Sequence, residues 1–282
     1  MSTVSVVTGA AGAMGALCAG ALAPEVDVLL LTDLVRGPLD AVGEEIARAT
    51  GCRVSALAGD LTDAHFVADL ARAARDLGTL HSLVQTAGLS PTMAGWQQIL
   101  RVDHVAVVAV LDAFLPAVGP GSAAVCIASI AGHLGAFDPV MDAVLDEPFA
   151  PDFDDRFRTA FGGEPDPGST YRLAKRGVIR TCERAAVAWG ARGGRVVSLS
   201  PGMIDTEMGR LELDHQPITV QMAQMTPVGA GRSADGGILP GLPIDIANAV
   251  RFLCSDAAGF VSGCDLRVDG GLVGAMNQPN EG

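Results

Sequence analysis

Residues Val4–Gly15 read VSVVTGAAGAMG, and the fold depends on this stretch. The first five of them form a short, mostly β-branched run that is typical of a strand, and the residues that follow, as far as Ala23, have the composition of a helix. The glycines between the two elements allow a diphosphate to approach the backbone at the positive end of the helix. An ordinary glycine- and alanine-rich turn has the same composition, so the interpretation depends on the rest of the chain.

The next element is a second apolar run, Val26–Thr32, which ends at Asp33. A continuous apolar strand is buried on both faces, as in a parallel sheet covered by helices. Asp33 follows Gly15 by 18 residues. A carboxylate at this strand end can accept hydrogen bonds from both ribose hydroxyls and repel a 2′-phosphate, which favours NAD over NADP. The alternative is an aspartate that caps the following helix.

Strands and helices alternate along the remaining chain, so we predict a single α/β domain over residues 1–282, without internal repeats. The predicted fold is a doubly wound Rossmann-type parallel sheet with helices on both faces. A long helix is predicted over Gly95–Val118, which is followed by Gly119 and Pro120. Ligands of such sheets lie beyond the carboxyl ends of the strands. Candidate binding residues at predicted strand ends are Gly9, Asp33, Asp60, Ala87, Gly88 and Ser129.

Composition limits the classes of partner. The net charge of −13 argues against nucleic acid and anionic membranes, and solubility is its simplest explanation. The six cysteines form no C-x-x-C pair and no metal-like cluster with histidine, as expected for buried thiols in a reducing compartment. The longest apolar stretch, Val102–Val118, is too short and too polar to span a bilayer. We therefore expect a cytoplasmic protein with no metal and no membrane partner.

The chain has one tyrosine, Tyr171, and Lys175 follows it at i+4 within a predicted helix. This spacing puts the phenol and the ammonium on one helix face. A phenol titrates near a pKa of ~10, and a nearby cation lowers that value. Such a pair can exchange a proton with an alcohol oxygen near neutral pH. On its own the Tyr-x-x-x-Lys pattern is weak, because any surface helix can contain it.

Taken together, these motifs resemble the short-chain dehydrogenase/reductase family over nearly the whole chain. Each motif is common alone, whereas the full set in this order and structural context is specific. The resemblance implies hydride transfer between an alcohol carbon and a nicotinamide cofactor. The matching segments are Thr8–Gly15, Asp60, Thr86–Gly88, Ser129, Tyr171 with Lys175, Pro201–Thr206 and Asp269–Gly271.

The resemblance also implies roles for individual residues. Tyr171 would be the acid/base, Ser129 would hold the substrate oxygen, and Lys175 would bind the nicotinamide ribose and lower the phenol's pKa. Backbone near Ile204 and the Thr206 hydroxyl would hold the carboxamide. Taken singly, Ser129 also fits a turn residue and Thr206 a helix N-cap. The residues expected at the cofactor are Gly9, Ala11, Met14, Gly15, Asp33, Asp60, Leu61, Ala87, Gly88, Tyr171, Lys175, Pro201, Gly202, Ile204 and Thr206.

Three positions depart from the family's pattern. Ala13 replaces the middle glycine of the glycine motif, and Thr86 replaces an asparagine at a strand end. Asp103 replaces the helix asparagine that is often counted as a fourth catalytic residue. Asp103 can act through a backbone carbonyl that holds a water to Lys175, or its carboxylate can pair with a nearby cation. His104 beside it is expected to be a packed or solvent-facing helix residue.

An inserted segment at about residues 134–168 separates Ser129 from Tyr171. It contains nine acidic residues and two basic ones, and five of the nine phenylalanines. Phe149, Phe153, Phe157 and Phe161 recur every fourth residue, which predicts one short amphipathic helix. Three interpretations remain open: a flap that packs on the domain, a wall of the substrate pocket, and part of a subunit interface.

A similar insertion occurs in bacterial 3α-hydroxysteroid dehydrogenase/carbonyl reductases, which Asp112–Pro116 and Ala185–Gly190 also resemble. Residues 203–243 are expected to cover the substrate as a lid, and their methionines suit a bulky apolar ligand. We therefore expect an NAD-dependent enzyme that acts on a hydrophobic, steroid-like cyclic alcohol or ketone and forms a homodimer or homotetramer. The alternative is a non-catalytic NAD-binding sensor or scaffold; an epimerase or dehydratase fits less well.

Overall fold

The computed structural model describes residues 2–136, 138–215, 217–229 and 241–278. Residues 230–240, part of the predicted lid, and Phe137 and Gln216 lie outside this description. The described residues form a sheet of seven parallel strands. The strands are β1 (Thr3–Thr8), β2 (Val28–Asp33), β3 (Arg53–Ala58), β4 (Thr79–Gln85), β5 (Ala123–Ile127), β6 (Arg195–Pro201) and β7 (Asp265–Val268).

The strand order is β3-β2-β1-β4-β5-β6-β7, which confirms the predicted doubly wound Rossmann-type sheet. The order reverses between β1 and β4. In register, Thr8 at the end of β1 pairs with Thr32 on one side and Gln85 on the other. The carboxyl ends of the central strands therefore meet at one edge, and the crevice at this switch point is where such sheets bind ligands.

Helices cover both faces of the sheet, and each face has its own core. Side chains alternate along β1, so Val4 and Val6 belong to one core and Val7 to the other. The larger helices are α1 (Ala13–Leu22), α2 (Arg36–Thr50), α3 (Ala64–Leu77), α4 (Trp96–Leu100), α5 (Ala106–Phe114), α6 (Pro139–Leu145), α7 (Phe153–Phe161), α8 (Pro167–Gly190), α9 (Glu207–His215), α10 (Pro217–Met225), α11 (Pro243–Cys254) and α12 (Leu272–Met276). Within the described ranges, none of them is long and apolar enough to cross a membrane.

The predicted continuous helix over Gly95–Val118 is interrupted, so that prediction is wrong in detail. A π-helical turn, Arg101–Val105, joins α4 to α5. Asp103 and His104 are consecutive, and both side chains are fully buried. The wider turn inserts an extra residue into the helical ladder, a device often found at functional sites. Here it directs both polar side chains to the interior.

The inserted segment contains two helices, α6 and α7, instead of the single helix predicted. Phe153 and Phe157 are buried, and Phe157 stacks on Trp96 of α4 with ring centroids 5.9 Å apart. Phe149 precedes α7 and is 57% exposed. This phenylalanine face therefore packs on α4 and α8.

Ion pairs fasten the same segment to α8. The guanidinium of Arg176 donates two hydrogen bonds to the carboxylate of Asp142, and that of Arg180 donates two to the carboxylate of Asp146. Burial raises the pKa of Asp146, but the hydrogen bonds and charges of Arg180 and Arg184 together outweigh it and hold the pKa below its usual value. The acidity of the insertion is thus partly matched by a row of arginines on α8.

Candidate active site

One cavity of about 1520 Å³ lies beyond the carboxyl ends of the strands. It is larger than the ~300–1,000 Å³ typical of a site for one small molecule. Every residue proposed from the sequence as catalytic or cofactor-binding lines it. We call the part around Gly9, Asp33 and Asp60 the nucleotide end, and the part around Ser129, Tyr171 and Lys175 the reaction end.

Gly9 allows the tight turn at the nucleotide end. Its φ is +65°, and an added Cβ would lie 2.6 Å from the backbone nitrogen of Ala87. Ala13, the departure from the glycine pattern, is the first residue of α1 and has ordinary helical geometry. Gly12 is the N-cap and offers no side-chain acceptor, so the first N–H groups of α1 remain open toward an anion. This cradle fits a diphosphate.

Two carboxylates at this end are held by local backbone. Asp33 accepts hydrogen bonds from the backbone N–H groups of Ala11, at 2.9 Å, and Leu34, at 2.7 Å. Asp60 accepts from the N–H and the hydroxyl of Thr62. These bonds orient both carboxylates at the cavity wall.

Thr86, at the end of β4, has a structural role. The Thr86 hydroxyl donates to the carbonyl of Thr8 at 2.7 Å and lies 3.3 Å from the Gly9 carbonyl oxygen. Thr86 therefore braces the end of β4 against the glycine turn, as expected for a short polar replacement of asparagine.

The reaction end brings together the end of β5 and the first turns of α8. The Ser129 Oγ accepts a hydrogen bond from the Ala131 N–H at 3.1 Å. Lys175 is buried, donates to the Ile127 carbonyl at 3.3 Å, and has its Nζ 5.5 Å from the centroid of the Tyr171 ring. A serine hydroxyl, a phenol and an ammonium thus share one small region of the cavity.

Asp103 reaches this group from the π-helical turn. Its Oδ2 lies 3.3 Å from the Lys175 Nζ, and its Oδ1 accepts the Leu89 N–H at 2.7 Å. Burial raises the pKa of Asp103, while Lys175 and the Leu89 N–H act in the opposite direction. Of the two arrangements considered from the sequence, the structure shows direct pairing of the carboxylate with a cation.

The expectation that Lys175 lowers the pKa of Tyr171 is wrong for this arrangement. Burial raises the pKa of Tyr171 well above its usual value, and the charges of Asp103 and Glu212 raise it further; a hydrogen bond with Ser129 acts against them. The physical reason is that burial of the phenol and the two carboxylate charges act together against its ionisation.

The segment after β6 closes the other side of the cavity. Gly202 packs so tightly on Asp269 that an added Cβ would lie 2.7 Å from its Cα. The Thr206 hydroxyl accepts the Gly209 N–H at 2.9 Å and so caps α9. Sequence reasoning missed Glu212 of α9, a half-buried cavity residue whose only sequence signal is an acid between two leucines.

A parallel sheet with a glycine turn, a carboxylate at the end of β2 and a Ser, Tyr and Lys cluster at its switch point defines a nicotinamide-dependent α/β oxidoreductase. Comparison with known proteins makes the class specific. Residues 3–140 match the family model described as short chain dehydrogenase, and residues 159–273 match the one described as Enoyl-(Acyl carrier protein) reductase. The chain belongs to the short-chain dehydrogenase/reductase family and is an oxidoreductase that acts on alcohols.

Curated relatives are similar to this chain over most of its length. The chain is 32% identical to the cis-4-hydroxycyclohexanecarboxylate dehydrogenase of Sinomonas cyclohexanicum, with 96% of each protein covered. It is 28% identical to the 3-alpha-hydroxysteroid dehydrogenase/carbonyl reductase of Comamonas testosteroni, over 84% of this chain and 93% of the relative. Among solved structures, a short-chain type dehydrogenase/reductase from Mycobacterium ulcerans shares the fold, with a TM-score of 0.75 at 23% identity, over 96% of this chain and 89% of that one.

Proposed function

We propose that this protein is an NAD-dependent dehydrogenase that interconverts a hydrophobic cyclic secondary alcohol, steroid-like in shape, and its ketone. The observation that carries the proposal is the grouping of Ser129, Tyr171 and Lys175 at one end of a cavity whose other end presents Asp33. The bound nicotinamide would accept or supply the hydride. The chain's own residues hold the substrate oxygen and move the proton.

Tyr171 is the acid/base in this proposal. In the oxidation direction its phenolate oxygen takes the proton of the substrate hydroxyl, and in reduction its hydroxyl returns that proton. The Ser129 Oγ accepts from Ala131, and in the proposed complex its O–H donates to the substrate oxygen. A donor aimed at this oxygen stabilises the negative charge that develops there.

Lys175 is a positioning and binding residue. An ammonium has three donors; one is directed to the Ile127 carbonyl, and the ammonium forms an ion pair with the Asp103 Oδ2 at 3.3 Å. In the proposed complex, a further donor binds the hydroxyls of the nicotinamide ribose. Asp103 holds the ammonium in place from the π-helical turn and balances its charge.

The nucleotide end supports NAD over NADP. Each Asp33 oxygen accepts one backbone N–H and retains a lone pair for a ribose hydroxyl. The nearby guanidinium of Arg36 is held by both oxygens of Asp40, so it is already engaged. At the other end of the cofactor, Thr206 accepts from Gly209 and can donate its own O–H to the carboxamide oxygen.

The substrate surface supports an apolar ring. The cavity is lined by Leu134 and by flexible methionines. The names of both curated relatives described above refer to ring compounds that carry a hydroxyl. Besides Met14 of α1, the methionines that line the cavity are Met93, Met203, Met208 and Met222.

The test follows NADH and NADPH absorbance with a panel of steroids, alicyclic alcohols and aliphatic alcohols, in both directions. Turnover of cyclic secondary alcohols with NAD is the expected result. Binding of NADH without turnover of any alcohol or ketone would instead favour a non-catalytic sensor. Preference for NADPH would contradict the part given to Asp33. Four of the six free thiols are buried, Cys52 is half-buried and Cys264 is exposed. Free thiols fit a cytoplasmic location, which fractionation of the native cells would check.

A further inference from the structure

Glu212 presents a carboxylate to the cavity from α9. The residue lies on α9, and its side chain is half-buried at the cavity wall. Within the part of the chain that the structure describes, this carboxylate makes no hydrogen bond and no ion pair. Its backbone carbonyl accepts a hydrogen bond from the Thr219 hydroxyl at 2.9 Å. The proposed mechanism does not use this side chain.

The carboxylate is electrostatically coupled to the reacting groups. Burial raises the pKa of Glu212, and the charge of Lys175 opposes that change. In the other direction, Glu212 is one of the two carboxylates whose charge raises the pKa of Tyr171. Glu212 lines the same cavity as Tyr171 and Lys175, so a ligand in this cavity can contact its carboxylate.

A carboxylate that is partly removed from water without a partner loses hydration and gains nothing in return. A hydrogen-bond donor on a ligand removes this cost, and a bond to a charged group contributes about 1.5–3 kcal/mol. The neighbouring wall is apolar, from Leu211, Met208 and Met222. The geometry therefore fits a ligand with an apolar body and a donor group at one point.

Glu212 and Lys175 together restrict which charge the donor group can carry. A ligand carboxylate at this position would be repelled by Glu212 itself, and a ligand ammonium would be repelled by Lys175. A neutral donor satisfies both constraints, and a hydroxyl is the smallest such group. The reacting hydroxyl is directed to Tyr171 and Ser129, so the donor for Glu212 is a second one.

We propose that Glu212 accepts a hydrogen bond from a second hydroxyl of the substrate, so that the enzyme prefers a cyclic diol to the corresponding simple alcohol. This inference rests on the proposed function. One carbinol carbon loses hydride to NAD and its hydroxyl loses a proton to Tyr171, which gives a hydroxyketone and NADH. The second hydroxyl keeps all its bonds and serves only in binding.

The test compares kcat/KM for the isomeric cyclohexanediols with kcat/KM for cyclohexanol, with NAD as oxidant. The diol-to-alcohol ratio is measured in wild type, Glu212→Leu, Glu212→Gln and Asp214→Asn. For the best diol isomer, we expect Glu212→Leu to lower the ratio about 10- to 100-fold, the range of one bond to a charged acceptor. Glu212→Gln retains a neutral acceptor and should lower it less. Asp214 is exposed on the same helix and does not line the cavity, so Asp214→Asn should keep the wild-type ratio.

An unchanged ratio in Glu212→Leu would overturn the inference while leaving the dehydrogenase activity established. If Glu212→Leu does not fold, as judged by circular dichroism, an unchanged ratio in Glu212→Gln overturns it. Failure of wild type to oxidise any alcohol, with NADH still bound, would overturn the proposed function, and this inference would fall with it.

Discussion

The two ends of the cavity are built in different ways. At the nucleotide end, Asp33 and Asp60 are oriented by backbone N–H groups, and most of these belong to residues one or two positions away. At the reaction end, Lys175 is held by Asp103, which is 72 residues earlier in the chain (175 minus 103). The nucleotide end is therefore encoded in short motifs, whereas the reaction end depends on packing between distant elements.

The same contrast applies to unpaired polar atoms. Both Asp33 oxygens at the nucleotide end have backbone partners. Within the described residues, the Glu212 carboxylate at the cavity wall has no partner, and neither does the buried Nδ1 of His104 on the π-helical turn beside Asp103. Polar groups without a hydrogen-bond partner in the protein can bind a ligand or respond to pH. Four predictions test this difference between partnered and unpartnered polar groups.

The largest effect is expected at Tyr171. Tyr171→Phe keeps the ring but removes the hydroxyl, so kcat should fall about 10²- to 10⁴-fold, the usual contribution of general acid–base catalysis. NADH absorbance gives the rate, and NADH fluorescence shows that the cofactor still binds. Equal rates in the two proteins would mean that another group moves the proton.

The second effect concerns stability in acid. Burial lowers the pKa of His104 to about 4, and its Nε2 is hydrogen-bonded to the Leu145 carbonyl of α6 at 2.8 Å. In the unfolded chain the pKa of a histidine is ~6.5. The folded state favours the neutral imidazole, so the stability that this group contributes is complete above that pH. It is lost as the pH falls toward the folded-state pKa. Between about pH 6.5 and pH 5 the free energy of unfolding should fall by about 2 kcal/mol.

Urea unfolding at several pH values measures this loss. His104→Gln should flatten the pH dependence, whereas His65→Gln, at an exposed position on α3, should leave it as in wild type. Hydrogen exchange should show α6 opening before the strands of the nucleotide end. A pH dependence that is the same in wild type and His104→Gln would assign the acid sensitivity to other groups.

The third effect tests the nucleotide end alone. Asp33→Asn keeps the side-chain shape but removes the negative charge that would repel a 2′-phosphate. The ratio of kcat/KM with NAD to kcat/KM with NADP should fall about 10- to 100-fold, which corresponds to about 1.5–3 kcal/mol. Asp76→Asn, exposed on α3 and outside the cavity, serves as the matched charge control. If both variants keep the wild-type ratio, Asp33 does not select the cofactor.

The smallest effect is a shift in the pH profile. Asp103→Asn retains an acceptor for the Leu89 N–H but removes a charge that raises the pKa of Tyr171. The pKa of Tyr171 should therefore fall, so the phenolate needed for oxidation forms at lower pH. The rising limb of kcat/KM for alcohol oxidation should therefore move toward acid. Asp112→Asn, an exposed change on α5, should leave the pH profile as in wild type. A shift of the Asp103→Asn profile toward alkaline pH would contradict the expected direction of the pKa change.

Sequence reasoning was accurate where the signal is local. The first two predicted strands agree with β1 and β2 to within about two residues, because apolar runs and glycine turns depend on neighbours in the chain. The same reasoning missed the π-helical turn, since the pattern of α4 and α5 is helical on both sides and the extra residue becomes visible only when Asp103 and His104 point inward together. It also predicted one helix in the insertion where α6 and α7 occur.

The identity of the family and the arrangement of the nucleotide end could be read from residues such as Gly9 and Asp33, because backbone geometry and short-range hydrogen bonds specify them. The electrostatics of the reaction end could not. Whether the pKa of Tyr171 rises or falls depends on Asp103 and Glu212, which approach it from different helices. Charges act through space while motifs act along the chain, so only the folded structure brought these carboxylates to the tyrosine.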